Sequence, residues 1–116
     1  KAMDCSCYSF IEMARLAAPG SGSFLSGRVD VTRTGLVGYS MGGYGVINTI
    51  GGGYSEMAQT MRGAPPNRLL RERAASNPAY RASIDPRVKA AIAIGPWGMQ
   101  VGMWDAEGLR GIRTAD

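Results

Sequence analysis

The chain has 116 residues, 45% of them hydrophobic and 19% charged, with 13 basic against 9 acidic side chains and a net charge of +4. That allows at most one domain of ordinary globular composition, and the sequence contains no apolar run long enough to span a bilayer. No histidine occurs, so any chemistry that needs an imidazole base must find it outside these residues.

Residues 3 to about 18 read as an amphipathic helix, with Met3, Cys7, Phe10, Ala14 and Ala17 at three- and four-residue steps and Pro19-Gly20 ending the run. Cys5 and Cys7 are one residue apart. That spacing fits neither a zinc site nor a redox C-x-x-C pair, and they read as packing thiols. The first residue is Lys1, and the true start of the protein is expected upstream.

Ser21-Gly22-Ser23 reads as a flexible connection, and Asp30-Val31-Thr32-Arg33 leads into a strand at about 33–38 carrying Leu36 and Val37. A helix is expected from the residue after Ser40 to about Ile50, with Val46, Ile47 and Ile50 on its apolar side. Gly51-Gly52-Gly53 ends it, and one of these glycines can supply a left-handed cap.

Between strand and helix stands Gly38-x-Ser40-x-Gly42. A serine exposed on a sharp strand-to-helix turn must adopt a strained backbone, with the chain passing close on either side, so a Cβ at position 38 or 42 is expected to collide. The bare pattern arises by chance roughly 0.2 times in a chain this rich in Gly and Ser, so the weight rests on the strand-turn-helix context. In that context it reads as a nucleophile elbow. Gly42, Gly43 and Gly45 weaken the helix taken alone and point to close backbone packing.

Rival glycine motifs fail. A phosphate-binding loop would follow Gly38-x4-Gly43 with Lys and then Ser or Thr, where Tyr44 and Gly45 stand, and no G-x-G-x-x-G opens a helix. Neither a nucleotide, another cofactor nor a metal is expected.

Residues 54–83 differ in character, with Pro65-Pro66, Asn77-Pro78 and few large aliphatics, and read as an insert with short helices near 55–62 and 67–75. Residues 62–89 hold seven basic side chains against Glu72 and Asp85. The ordinary reading is a solvated face with Arg68 and Glu72 paired at i and i+4; steering of an anionic substrate is the functional one. Nucleic-acid binding is not expected, since no aromatics interleave the arginines.

Val88 to Ile94 is a continuous small-apolar run typical of a strand covered on both faces. With helical material between the two strands, a right-handed parallel crossover and an α/β class follow. Gly95-Pro96-Trp97-Gly98-Met99 then falls at the sheet edge that carries Ser40, where open α/β sheets bind ligands. Trp97 is a candidate wall of an acyl or alcohol pocket, the alternative being a Trp that seals the core. Trp104 to Thr114 reads as a short helix and a turn leading toward a third strand.

Gly38-Tyr39-Ser40-Met41-Gly42-Gly43, preceded by Asp30-x-x-Arg33-x-Gly35, resembles the serine α/β-hydrolases, nearest the dienelactone-hydrolase-like and platelet-activating-factor-acetylhydrolase-like esterases. Asp85-Pro86-Arg87-Val88 through Gly95-Pro96-Trp97 looks like the next strand of that fold, so the resemblance covers about residues 26–53 and 84–114. It implies a partial α/β-hydrolase fold, residues 1–116 being the central fragment of one domain. It also implies a triad in the chain order Ser, acid, His. The acid would follow a strand after Gly111-Ile112-Arg113-Thr114 and the His would come later, both beyond Asp116. The early strands and the oxyanion loop would precede Lys1.

Dienelactone hydrolases proper carry cysteine at the nucleophile position, so Ser40 departs from them and argues for ordinary ester substrates. The expected activity is cleavage of a small-molecule carboxylic ester through an acyl-enzyme on Ser40, with the Met41 backbone N–H as one oxyanion donor. Neither Lys1 nor Lys89 forms a Ser-x-x-Lys arrangement with Ser40, and Asp105 has no His to orient. Residues 1–116 alone are therefore expected to turn over little or nothing. Two other readings stay open: a non-catalytic hydrolase-like protein that keeps the elbow, and a basic binding module built on residues 62–89.

Overall fold

The computed structural model describes residues 15–112, apart from the side chains of residues 67 and 68. Most of the helix expected over 3–18 lies outside the described residues, with its last turn, 15–17, helical as expected. The lead toward a third strand at residues 113–114 also lies outside them. The chain divides into two compact units, residues 1–34 and 35–116.

In the first unit the described backbone beyond residue 17 is a series of turns tied by hydroxyls. Ser21 Oγ donates to the Leu16 carbonyl at 2.6 Å and Ser26 Oγ to the Ala18 carbonyl at 3.2 Å, so the connection over residues 21–23 is a hydrogen-bonded turn. Asp30 accepts from the Thr32 hydroxyl, the Arg33 guanidinium and the Thr32 N–H, which together hold its carboxyl down at about 2.

The second unit runs β1 (Thr34–Tyr39), α1 (Met41–Thr49), α2 (Glu56–Thr60), a 3-10 segment (Pro66–Arg73), α3 (Pro78–Ala82), β2 (Val88–Ile94), a 3-10 turn (Met99–Val101) and α4 (Ala106–Arg110). β1 and β2 form a two-stranded parallel sheet. Parallel neighbours cannot be joined by a hairpin, and here the connection runs through three helices and a 3-10 segment, which makes the class α/β. β2 occupies the predicted 88–94, and β1 lies one residue further along than the predicted 33–38.

α1 covers one face of this sheet, where Val46, Ile50 and Val88 are buried together with Leu36, Ala91 and Ala93 against them. It ends at Ile50 through Gly51, whose φ of 105° is open to glycine, and the Gly52 N–H reaches back to the Ile47 carbonyl at 2.8 Å. That is the Schellman closure. The expectation that β2 is covered on both faces is corrected. Ile92 and Ile94, with Val37 and Tyr39 beside them, are exposed. Period-two alternation sets Ile92 and Ile94 on the face opposite Ala91 and Ala93, and no described helix of the second unit buries them.

A second cluster joins Ile47 to Tyr54, Ala58, Met103 and Trp104. Within residues 54–83, α2 is capped by Ser55, whose Oγ accepts from the Ala58 N–H at 3.0 Å. The helix expected at 67–75 is a 3-10 segment: it starts on Pro65-Pro66 without a side-chain cap, and Leu69 is exposed, so little packing rewards full α geometry. α3 was not anticipated. It starts at Asn77-Pro78, with Asn77 Oδ1 accepting from the Ala79 N–H at 3.0 Å and Pro78 in the first turn.

Several charges of the basic segment are paired at the surface. Arg87 bonds Asp85 at 2.6 Å, which holds that carboxyl down at about 2, and Arg81 bonds Glu107 at 3.1 Å. Exposed pairs of this kind contribute little stability. The expected Arg68 and Glu72 pair lies outside the described side chains. Among the described residues no helix is long and apolar enough to cross a membrane.

Candidate active site

Ser40 sits at the junction of β1 and α1 with φ 53° and ψ −112°, and among the described residues it is the non-glycine residue with positive φ. Such a conformation costs of order 1–3 kcal/mol and persists only where the surroundings over-determine it. Three backbone hydrogen bonds do so. The Ser40 N–H donates to the Ile94 carbonyl at 3.0 Å, extending the sheet, while the Ser40 carbonyl accepts from the Tyr44 N–H at 3.1 Å and the Trp97 N–H at 3.0 Å. Strand, helix and the loop after β2 therefore all close on one residue. The Ser40 side chain makes no cap hydrogen bond, so its half-buried hydroxyl is not engaged by the helix it precedes.

The flanking glycines divide. A Cβ on Gly38 would stand 2.2 Å from the Gly42 carbonyl oxygen and 2.3 Å from its carbon, so no side chain fits there. Gly43 is tight but less so, its added Cβ meeting Pro96 Cα at 3.0 Å. At Gly42 the expected collision is corrected: a Cβ meets nothing within 4 Å, and the same holds at Gly45. The crowding lies at position 38 because the Gly42 backbone itself turns into that space.

Met41 opens α1, so its N–H has no intrahelical acceptor and lies at the positive end of the helix dipole. Its side chain is exposed. Trp97 is tied by its N–H to the Ser40 carbonyl, and its ring meets Tyr44 edge-on at 5.8 Å and 68°. Ser40, Met41 and Trp97 are thus together at the C-terminal edge of the sheet.

Sequence reasoning missed the polar network beneath this edge. Asn48, buried on α1, donates from Nδ2 to the Tyr54 hydroxyl at 3.1 Å and accepts at Oδ1 from Trp104 Nε1 at 3.1 Å. The Tyr80 hydroxyl donates to the Asn48 carbonyl at 2.6 Å, and the Tyr44 and Tyr54 hydroxyls share a hydrogen bond. Burial first and then Tyr44 push the Tyr54 phenol up, and burial does the same for Tyr80, so both stay neutral donors and acceptors. The signal that could have found the network is an Asn set beside Val46 and Ile47 in an otherwise apolar helix.

Because Asn48 links the elbow helix to residues 54 and 104, Asn48→Ala strands the buried Trp104 N–H and opens a void. The expected loss is about 2–4 kcal/mol in chemical denaturation.

A cavity of about 440 Å³ lies elsewhere, lined by Tyr54, Ser55, Glu56, Arg71, Asp105 and Glu107 among others, and by none of Ser40, Met41 or Trp97. Asp105 is occupied as the cap of α4, its Oδ1 accepting from the Gly108 N–H at 2.8 Å. No cluster of His, Cys, Asp and Glu able to hold a metal occurs among the described residues. Compared with protein-family models, with curated proteins and with solved structures, the chain matches none.

Proposed function

We propose that Ser40 is the nucleophile of a serine hydrolase that cleaves carboxylic esters, and that the sheet and helices around it are part of an α/β-hydrolase fold. The observation that carries this is the conformation of Ser40: φ 53° on a turn between a parallel strand and a helix, inside Gly38-x-Ser40-x-Gly42, held by three backbone hydrogen bonds.

In this reading Ser40 Oγ attacks the acyl carbon and passes its proton to a histidine outside these 116 residues, since they contain none. The oxyanion is met by the Met41 N–H, which α1 leaves without an acceptor. Collapse of the tetrahedral intermediate expels the alcohol, which takes the proton from the histidine, and water then releases the acid from the acyl-enzyme.

The test is covalent titration of the intact protein with a fluorophosphonate. The expected result is one adduct per chain, on the peptide containing Ser40, with ester hydrolysis lost in proportion. An adduct elsewhere, or none in a protein that hydrolyses esters, overturns the assignment.

The non-catalytic reading is favoured by one observation, the lack of any histidine in the chain. It predicts no adduct and no turnover in the intact protein. No observation favours the basic-module reading, and two of its seven basic side chains, Arg81 and Arg87, are paired with Glu107 and Asp85.

A further inference from the structure

We infer that Tyr44 is a positioning residue for Ser40: its ring holds the loop after β2 in place and so keeps the Trp97 N–H on the Ser40 carbonyl. The inference rests on Ser40 being the nucleophile. Two of the three hydrogen bonds that fix the strained Ser40 backbone end on its carbonyl, from the Tyr44 N–H at 3.1 Å and the Trp97 N–H at 3.0 Å. The side chains of those same two residues meet, their ring centroids 5.8 Å apart and their planes at 68°. Edge-on contact is a preferred arrangement of two aromatic rings, so this one favours a single placement of the loop.

The two donors differ in what secures them. The Tyr44 N–H makes the first intrahelical bond of α1, which forms wherever a helix starts at Met41. The Trp97 N–H belongs to a loop with a left-handed glycine on either side, Gly95 at φ 48° and Gly98 at φ 113°, so no strand or helix dictates where it points.

Tyr44 is itself anchored from behind. Its ring lies 5.4 Å from that of Trp104 and 6.3 Å from that of Tyr54, both buried, and its hydroxyl shares a hydrogen bond with the Tyr54 hydroxyl. Asn48 bonds the Tyr54 hydroxyl and Trp104 Nε1, each at 3.1 Å. Contacts therefore run from the core through Tyr44 to Trp97 and end on the main chain of the nucleophile. Misplacing a nucleophile slows the chemical step more than it weakens substrate binding.

The experiment measures kcat and KM on p-nitrophenyl acetate, and the rate at which a fluorophosphonate labels Ser40, in the intact protein and its variants. Tyr44→Leu removes the ring and keeps the main-chain bond. It is expected to lower kcat per titrated site and the labelling rate roughly 30-fold, with KM within about threefold of native. Tyr44→Phe keeps the ring and should hold both rates within about threefold of native. Tyr80→Phe deletes a buried hydroxyl bonded to the Asn48 carbonyl at 2.6 Å, toward the other end of α1, and so reads what lost stability alone does. Its kcat per titrated site should stay within about twofold of native.

Trp97→Leu removes the same ring contact from the loop side, where the residue is partly exposed, and decides the question where Tyr44→Leu does not fold. It should slow labelling as Tyr44→Leu does, and the double variant should be no slower than either. Native labelling in Trp97→Leu, additive losses in the double variant, or losses in Tyr44→Phe or Tyr80→Phe as large as in Tyr44→Leu overturn the positioning role and leave the nucleophile standing. Absence of label at Ser40 in the native protein overturns both.

Discussion

Replacing Ser40 with glycine is expected to raise stability by about 1 kcal/mol while lowering ester hydrolysis roughly 10³-fold or more. The φ of 53° is strained for any residue with a Cβ, whereas the three backbone bonds at this position need only the main chain. Glycine keeps those bonds and relieves the strain, offset in part by the greater freedom of its unfolded chain.

Ser40→Ala separates the two effects. It loses the same hydroxyl and so the same activity, but retains the strain. Chemical denaturation should therefore rank the glycine variant about 1–2 kcal/mol above the alanine variant. Equal stability of the two would mean that the serine is not strained, and equal hydrolysis by Ser40→Ala and the native protein would remove it as the nucleophile.

Gly38→Ala is expected to be the most damaging single methyl in the described chain around the elbow, at about 3 kcal/mol or more. The added Cβ would lie 2.2 Å from the Gly42 oxygen, 2.3 Å from the Gly42 carbon and 2.7 Å from the Gly43 nitrogen. All three are backbone atoms, so no rotamer change relieves the clash, and the start of α1 must move. That start carries the Ser40 carbonyl and the Met41 N–H, so fluorophosphonate uptake should slow along with the loss of stability.

Gly42→Ala is the control. Its Cβ meets nothing within 4 Å and it lies in a helix, where alanine is favoured over glycine by about 1 kcal/mol. Denaturation should show it as stable as the native protein or more so. Comparable losses at the two positions would contradict the geometry of the turn.

The features legible in the amino-acid order are local. The apolar runs read at about 33–38 and 88–94, the glycines that end α1, and the Gly-x-Ser-x-Gly step all act over a few residues, and the strands stand within one residue of where those patterns put them. The strained turn was legible for the same reason, since a serine flanked at two residues on each side by glycine, between a strand and a helix, marks a sharp turn where backbones pass too close for side chains.

The rest depends on long-range packing. Whether Gly38 or Gly42 is the crowded position depends on which way the Gly42 carbonyl turns, and the pattern is symmetric about the serine. Asn77-Pro78 starts a helix that the sequence left unread, and Tyr80 of that helix is held by the Asn48 and Gly52 carbonyls, both distant in the chain. Asn48 is a buried link only because Tyr54 and Trp104 are brought to it, the latter from 56 positions away. A polar residue in an apolar helix announces that a partner is needed, but which side chain satisfies it is set by long-range packing that no local pattern encodes.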